Sequence, residues 1–342
     1  MSRTAVIGVL GLAHQTAKGT ANTSFTYVPA TNLGVNANQQ VQATPYEISG
    51  GYFQKTSYKT SVSAGGDTSI IARPDSFGHV LYALSGQDTV TPVPSQAGAF
   101  SHVFTPFTPS ASNELPWYTL YKNVSYLWAN QFTDVKCAGV RFDVAARNLV
   151  NTQVSWYGIT PTEVAVPGAP PAADSGPVFQ TCQGTVILHT EAGDANISAN
   201  TNKLERVSLD FVNNLSADQE FSVGSYVPDD VTLLSRSVNV SADIIIRDPD
   251  LVRAVYQNGG TGAWDPTVYR GHLNLTFNSS AVVPSTTQPY QFIIDLPGID
   301  FLMMPVSLSS NQLIRATLSA NVTLGAANDQ YAFTLINGTA SY

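Results

Sequence analysis

Charge is scarce in this chain. Asp, Glu, Lys and Arg make up 12% of its 342 residues, about half the usual share of roughly 25%. The 16 basic residues occur in no run longer than a pair, and 24 acidic residues outnumber them, for a net charge of −8. Tight binding to nucleic acid displaces phosphate counterions with clustered cations, so this composition excludes a nucleic-acid binder while allowing a surface that DNA slides past. Cysteine is nearly absent. Cys137 and Cys182 have no companions at metal-ligand spacing and read as buried free thiols. Long apolar runs are missing too. Ala5–Ala13 (AVIGVLGLA) is short for a secretory core and far too short for a bilayer, which argues against export and membrane insertion.

Catalytic patterns are also lacking. His14, His79, His102, His189 and His272 are scattered, match no HExxH spacing and read as surface or turn histidines. No GxSxG elbow exists. Gly11–Thr20 (GLAHQTAKGT) lacks the Gly-Lys-Ser/Thr order that brings lysine to a phosphate. Asp248 and Asp250 read as a helix cap and Asp229 and Asp230 as a solvated turn. The expectation is no enzyme, no metal and no cofactor.

What the chain does contain is short runs of branched and aromatic residues with period two. In Val140–Val144 (VRFDV), Val140, Phe142 and Val144 face inward and Arg141 and Asp143 outward. Val207–Val212, Val238–Arg247, Leu273–Phe277 and Leu313–Leu324 read the same way. Asn-Gly pairs at 258–259 and 337–338 are turn chemistry. Asp75–Leu84 (DSFGHVLYAL) is the best short helix, capped by Asp75 and ended by Gly86. The fold class is mainly β. Hydrophobic residues at 43% suffice for real cores, and a surface of uncharged polar groups suits an assembly subunit.

Thr16–Ser24 (TAKGTANTS) recurs in outline at Thr190–Ser198 (TEAGDANIS), an offset of 190 − 16 = 174. At that offset Gly19 meets Gly193, Arg73 meets Arg247, Tyr82 meets Tyr256 and Gly86 meets Gly260. Ile70 and Ile71 fall on Ile244 and Ile245, Arg141 on Arg315 and Tyr157 on Tyr331. Strands, helix and glycine turns coincide without a gap, the mark of a duplicated unit. The expected organisation is an arm over 1–28, a β-sandwich or barrel-like domain with a short flanking helix over 29–160, a Pro/Ala/Gly-rich linker over 161–177, and a second, similar domain over 178–342. The linker reads as an extended tether that sets two separate cores side by side.

Several phrases resemble the tail tube (major tail) proteins of long-tailed bacteriophages. They are Gly11–Thr20, the Tyr27–Pro29 strand, the glycine-bounded Gly50–Gly66 hairpin, the Arg-Pro-Asp start of Arg73–Gly86, and Leu204–Phe221. Gln15 stands where that family often has Glu. The resemblance covers most of the chain and implies β domains that assemble into rings, stacked into a hollow virion tail tube made in the host cytoplasm. It implies DNA passing through the lumen without specific binding, and tape-measure and tail-end proteins as partners. A doubled chain resembles relatives in which a homotrimer makes a pseudo-sixfold ring, although trimer against hexamer stays open. The hairpins Tyr52–Gly65 and Tyr226–Asn239, with Tyr52, Lys55, Lys59, Asp229, Asp230 and Arg236, are the candidates for ring stacking. Competing readings are a virion surface or receptor-binding β protein forming a closed trimer, a secreted porin-like barrel, and a carbohydrate-active β-sandwich enzyme.

Overall fold

A computed structural model describes residues 8–46, 53–54, 56–107, 114–124, 127–167, 171–190, 203–216, 219–247, 249–257, 263–264, 266–308, 310, 312–323 and 331–342. The first half runs β1 (Gly8–His14), β2 (Thr26–Val28), β3 (Ala30–Leu33), β4 (Asn36–Ala43), β5 (Ser57–Ile71), α1 (Pro74–Ser85), β6 (Gly86–Pro92), β7 (Phe100–Pro106), β8 (Tyr118–Val124), β9 (Trp128–Ala145) and β10 (Asn151–Val164). The second runs β11 (Gly184–Thr190), β12 (Lys203–Leu215), β13 (Leu233–Ile245), α2 (Asp250–Gln257), β14 (Arg270–Val282), β15 (Pro289–Met303), β16 (Val306–Ser307), β17 (Arg315–Val322) and β18 (Ala332–Asn337). The protein is mainly β, and all these strands join one antiparallel sheet.

Pairings in the first half connect β1–β8–β9–β10–β5, with β3 and β4 end to end along the far edge of β5. In the second half they connect β11–β14–β15–β17–β13–β12. The order is the same. The registers agree as well: Ile71 pairs with Asn151 and Ile245 with Arg315, separations of 174 between the isoleucines and 164 between their partners. The offset of 174 thus holds through α2 and then shortens. Twelve residues separate α2 from β14, against thirty-two between α1 and β8, a stretch that holds the β6–β7 hairpin. Arg141 and Arg315 therefore do not correspond, since Arg141 lies on β9 and Arg315 on β17, the counterpart of β10.

Two junctions fuse the halves. Val140 of β9 pairs with Phe211 of β12, and Phe104 of β7 pairs with Phe333 of β18. The aromatic rings meet beneath them. Phe142 lies 5.6 Å from Phe211, 5.9 Å from Phe292 and 6.0 Å from Phe77 of α1. A single large core cluster draws on both halves. Alternation with two packed faces dictates this outcome. The inward residues of β9 and β12 are too apolar to leave at an open edge, and pairing buries both sets.

Helix α1 begins at Pro74, whose missing N–H suits the first helical position. Arg73 is the N-cap residue and Asp75 lies in the first turn, so Asp75 is not the cap. Gly86 closes the helix at φ 87°, its N–H bonded to the Tyr82 carbonyl, as expected of a left-handed glycine. Within the segment read as an arm, Gly8–His14 is the buried strand β1 and Thr26–Val28 is β2, so the apolar run up to Ala13 is sheet core from Gly8 onward. Strand β10 continues to Val164, and the described linker residues beyond it lie against the first half. There Asp174 N–H donates to Tyr27 O, and Phe179 is fully buried with its N–H on Ala72 O. Asn337 ends β18 as a buried anchor whose amide donates to Pro74 O at 2.7 Å, while Asn258–Gly259 falls outside the described residues.

Truncating Phe142 to Ala is expected to cost about 3–5 kcal/mol, since it opens a cavity shared by four elements. Denaturant unfolding of the full chain measures it. A loss below about 1 kcal/mol would show that the halves do not share a core.

Candidate functional site

Among the described residues no group of three or more His, Cys, Asp or Glu is placed to hold a metal, and no helix is long and apolar enough to cross a membrane. Cys137 is buried and Cys182 exposed, which corrects the expectation that both thiols are buried. Burial pushes the Cys137 thiol up to about 12, keeping it protonated and unreactive. His79 and His102 are also more interior than expected. His102 is fully buried and bridges Asp88 Oδ2 at 2.9 Å and the Thr339 carbonyl at 2.7 Å. His79 sits beneath Tyr342 and Tyr118, its Nε2 3.0 Å from Thr26 Oγ1. Burial, helped by nearby His14, lowers its pKa to about 4.

A cleft of about 670 Å³ lies between the 14–18 turn, Tyr82 and the 114–117 segment. Beside it the second half is tied to the first. Lys18 donates to the Asp229 carbonyl and stands 3.4 Å from Asp230 Oδ1. Lys136, buried in β9, donates to Glu114 Oε2 at 2.7 Å and to the Val231 carbonyl at 2.8 Å. Its ammonium also lies 3.8 Å from the centre of the Trp117 ring. Burial lowers the Lys136 pKa, and Glu114 partly opposes that shift. Sequence reasoning missed Lys136. Its local sequence gives no clear signal, since Asp134 stands beside it at the same phase of the alternation.

Of the residues proposed for stacking, Tyr52 and Lys55 lie outside the described residues. Lys59 is exposed on β5, paired with Val41 on β4. Asp229 and Asp230 hold the Lys18 tether just described. Arg236 is turned inward: its Nε donates to Asn213 Oδ1 and its Nη2 to the Ser85 carbonyl, both at 3.1 Å, and its guanidinium covers the Phe107 ring. Tyr52–Gly65 and Tyr226–Asn239 are not complete hairpins, because β5 and β13 are the second arms of the β4–β5 and β12–β13 hairpins. The outer half of β4–β5 is exposed on both faces, with Val41 and Tyr58 uncovered.

The duplicated positions fare unevenly. Gly19 takes φ 78° and its N–H donates to Asp134 Oδ1 at 2.7 Å. Arg73 donates to the Gly176 carbonyl, fastening the linker to α1. Tyr82 packs edge-on against His14 at 5.2 Å, whereas Tyr256 accepts the Met304 N–H at 3.0 Å and packs against Trp264. Arg247 is exposed beyond the end of β13. Gly193 and Gly260 lie outside the described residues. The paired positions thus share a place in the chain but not the same contacts.

The described residues thus form a β-rich protein with exposed sheet edges and several charged side chains engaged in internal tethers. Comparison with protein families agrees: the model described as phage tail tube protein matches residues 7–327, and the chain belongs to that family. Its membership makes it a structural component of the virion tail, a class that self-assembles. Among curated proteins nothing matches.

Because the folded state holds His79 neutral while the unfolded chain takes a proton near 6.5, its contribution to stability is full above pH 6.5. It is lost as pH falls towards about 4. His79→Phe is expected to flatten that part of the stability curve relative to wild type; parallel curves for the two proteins would refute the assignment. Arg236→Ala is expected to cost about 1–3 kcal/mol by stranding buried acceptors, and Lys18→Ala no more than about 1 kcal/mol as an exposed pair. Thermal melts compare them.

Proposed function

We propose that this chain is the wall subunit of a hollow tail tube. Three copies close a ring in which each half takes one of six similar places. Rings stack, and the genome leaves through the lumen. The observation that carries this reading is the recurrence of one pairing order and register in both halves, joined to membership in the tail tube family. A repeated unit inside a self-assembling subunit raises the rotational order of a ring without adding chains.

Stacking contacts are assigned to the β4–β5 hairpin, through Tyr52, Lys55 and Lys59, and to the Asp229–Asp230 turn of the neighbouring ring. A hairpin exposed on both faces is marginal alone and gains stability by docking. The excess of 24 acidic over 16 basic residues supports a lumen that repels phosphate, so that DNA passes without arrest. Tape-measure and tail-end proteins complete the expected set of partners.

Electron microscopy of the concentrated full chain is the direct test. Hollow tubes with threefold rings are expected; a closed trimer that never extends would favour a virion surface protein instead. In virions, exchanging several lumen-facing acids for Lys is expected to slow DNA exit at low salt. Unchanged rates would remove the electrostatic part of the proposal.

A further inference from the structure

The junction inside the chain specifies a junction between chains. Within the chain, β9 has two neighbours along its second half: β10 on one side and β12 on the other. The register can be traced strand by strand. Ile71 pairs with Asn151, Asn151 with Asp143, and Asp143 with Ser208. In the second half, Ile245 pairs with Arg315 and Arg315 with Ser307. Ser307 thus occupies the place of Asp143, and β15–β16 the place of β9. There the series stops. Strand β14 pairs with β15 only as far as Asp300, so beyond that point the side corresponding to the β12 side of β9 has no partner strand among the described residues.

The complementary vacancy lies at the other end of the molecule. Ser208 of β12 pairs with Ser241, and the residue 174 earlier than Ser208 is Gly34, whose N–H donates to Asp67 O at 2.7 Å. Asp67 is likewise 174 before Ser241, so β3–β4 stands where β12 stands. Strands β3 and β4 pair with β5, and their outer side has no strand beside it among the described residues.

Side-chain burial tells the same story. At the filled junction Phe142 and Val144 are 0% and 6% exposed; their counterparts at the open edge, Val306 and Leu308, are 42% and 77% exposed. Their facing positions on β12, Leu209 and Val207, are buried, and the counterparts of those on β3–β4 are the apolar Val35 and Leu33. Val35 is buried in its own chain and Met304 is buried with its N–H on Tyr256 Oη, whereas at Val306 and Leu308 the apolar alternation is kept where no strand among the described residues covers it. Solvent-facing edges are normally blunted by charge instead.

We propose that β15–β16 of one chain pairs antiparallel with β3–β4 of a second copy, Val306 opposite Val35 and Met303 opposite Asn38, continuing the β9–β12 pairing around the ring. This rests on the tube reading and names the contact that closes it. The mode is strand addition, with main-chain hydrogen bonds supplying affinity and the inward apolar positions supplying register. One residue shapes the edge of the receiving strand. Lys122 already donates to the Val35 carbonyl and to Asn36 Oδ1, both at 2.8 Å. The carbonyl's second lone pair is left for the partner.

The test is a cysteine pair, Met303→Cys with Asn38→Cys, in a full chain carrying Cys182→Ser. Oxidation of assembled protein is expected to give chain-to-chain cross-links on a non-reducing gel, in a ladder ending at three, with each single variant giving none. Tubes that form without cross-links overturn the junction and leave the tube reading standing. A wild-type chain that forms neither rings nor tubes overturns the tube reading itself. Independently, Val306→Asp with Leu308→Asp is expected to raise the concentration needed for assembly by at least about tenfold, because it buries unpaired charge. The melting temperature of the monomer should stay near wild type, since both residues are exposed there. Assembly at the wild-type concentration would refute the assignment.

Discussion

Phe142 is the hinge on which the molecule's unity turns. It belongs to the first half, yet it packs on Phe211 and Phe292 of the second and on Phe77 of α1. Aromatic rings bury more apolar surface than any other side chains and prefer tilted or edge-on contacts such as these. Once Phe142 and Phe211 face each other across β9 and β12, the two halves share a core, and the linker is left to lie along the first half. The bond from buried Lys136 to the Val231 carbonyl, the Lys18 tether and the Arg236 bracket then fasten polar groups across the same divide. Hydrophobic contact joins the halves, and these sparse charges set their alignment.

Much of this was legible beforehand because period-two alternation reports burial directly. Val140, Phe142 and Val144 do face inward, Gly86 does end the helix, and the offset of 174 does match β5 with β13 and α1 with α2. The alignment fails after α2 for a physical reason. The β6–β7 hairpin sits between helix and strand, where added length costs little, so the first half carries it at almost no thermodynamic penalty. An ungapped comparison then sets β9 against β17, and Arg141 against Arg315, although their neighbours differ.

The assembly surface was harder to read than the fold. Alternation says which residues want a covered face but not whether the cover comes from the same chain. The apolar alternation around Val306 and that around Phe142 look alike as strings, and only the pairing pattern separates them. The charged candidates suffered the reverse problem. Arg236 reads as a surface cation, but its neighbours Phe107 and Ser85 lie more than a hundred residues away in sequence. Likewise, Lys136 has no local cue that a distant carbonyl and an indole ring await it.

The β6–β7 hairpin has one more effect. It fills space beside β18 in one half of the chain and has no equal among the described residues of the other. In a ring of three chains the six seats are therefore of two kinds, alternating around the circumference. Such a ring meets the next one equally well in three angular settings instead of six, so a stack of them has half the freedom to slip in azimuth that true sixfold rings would have.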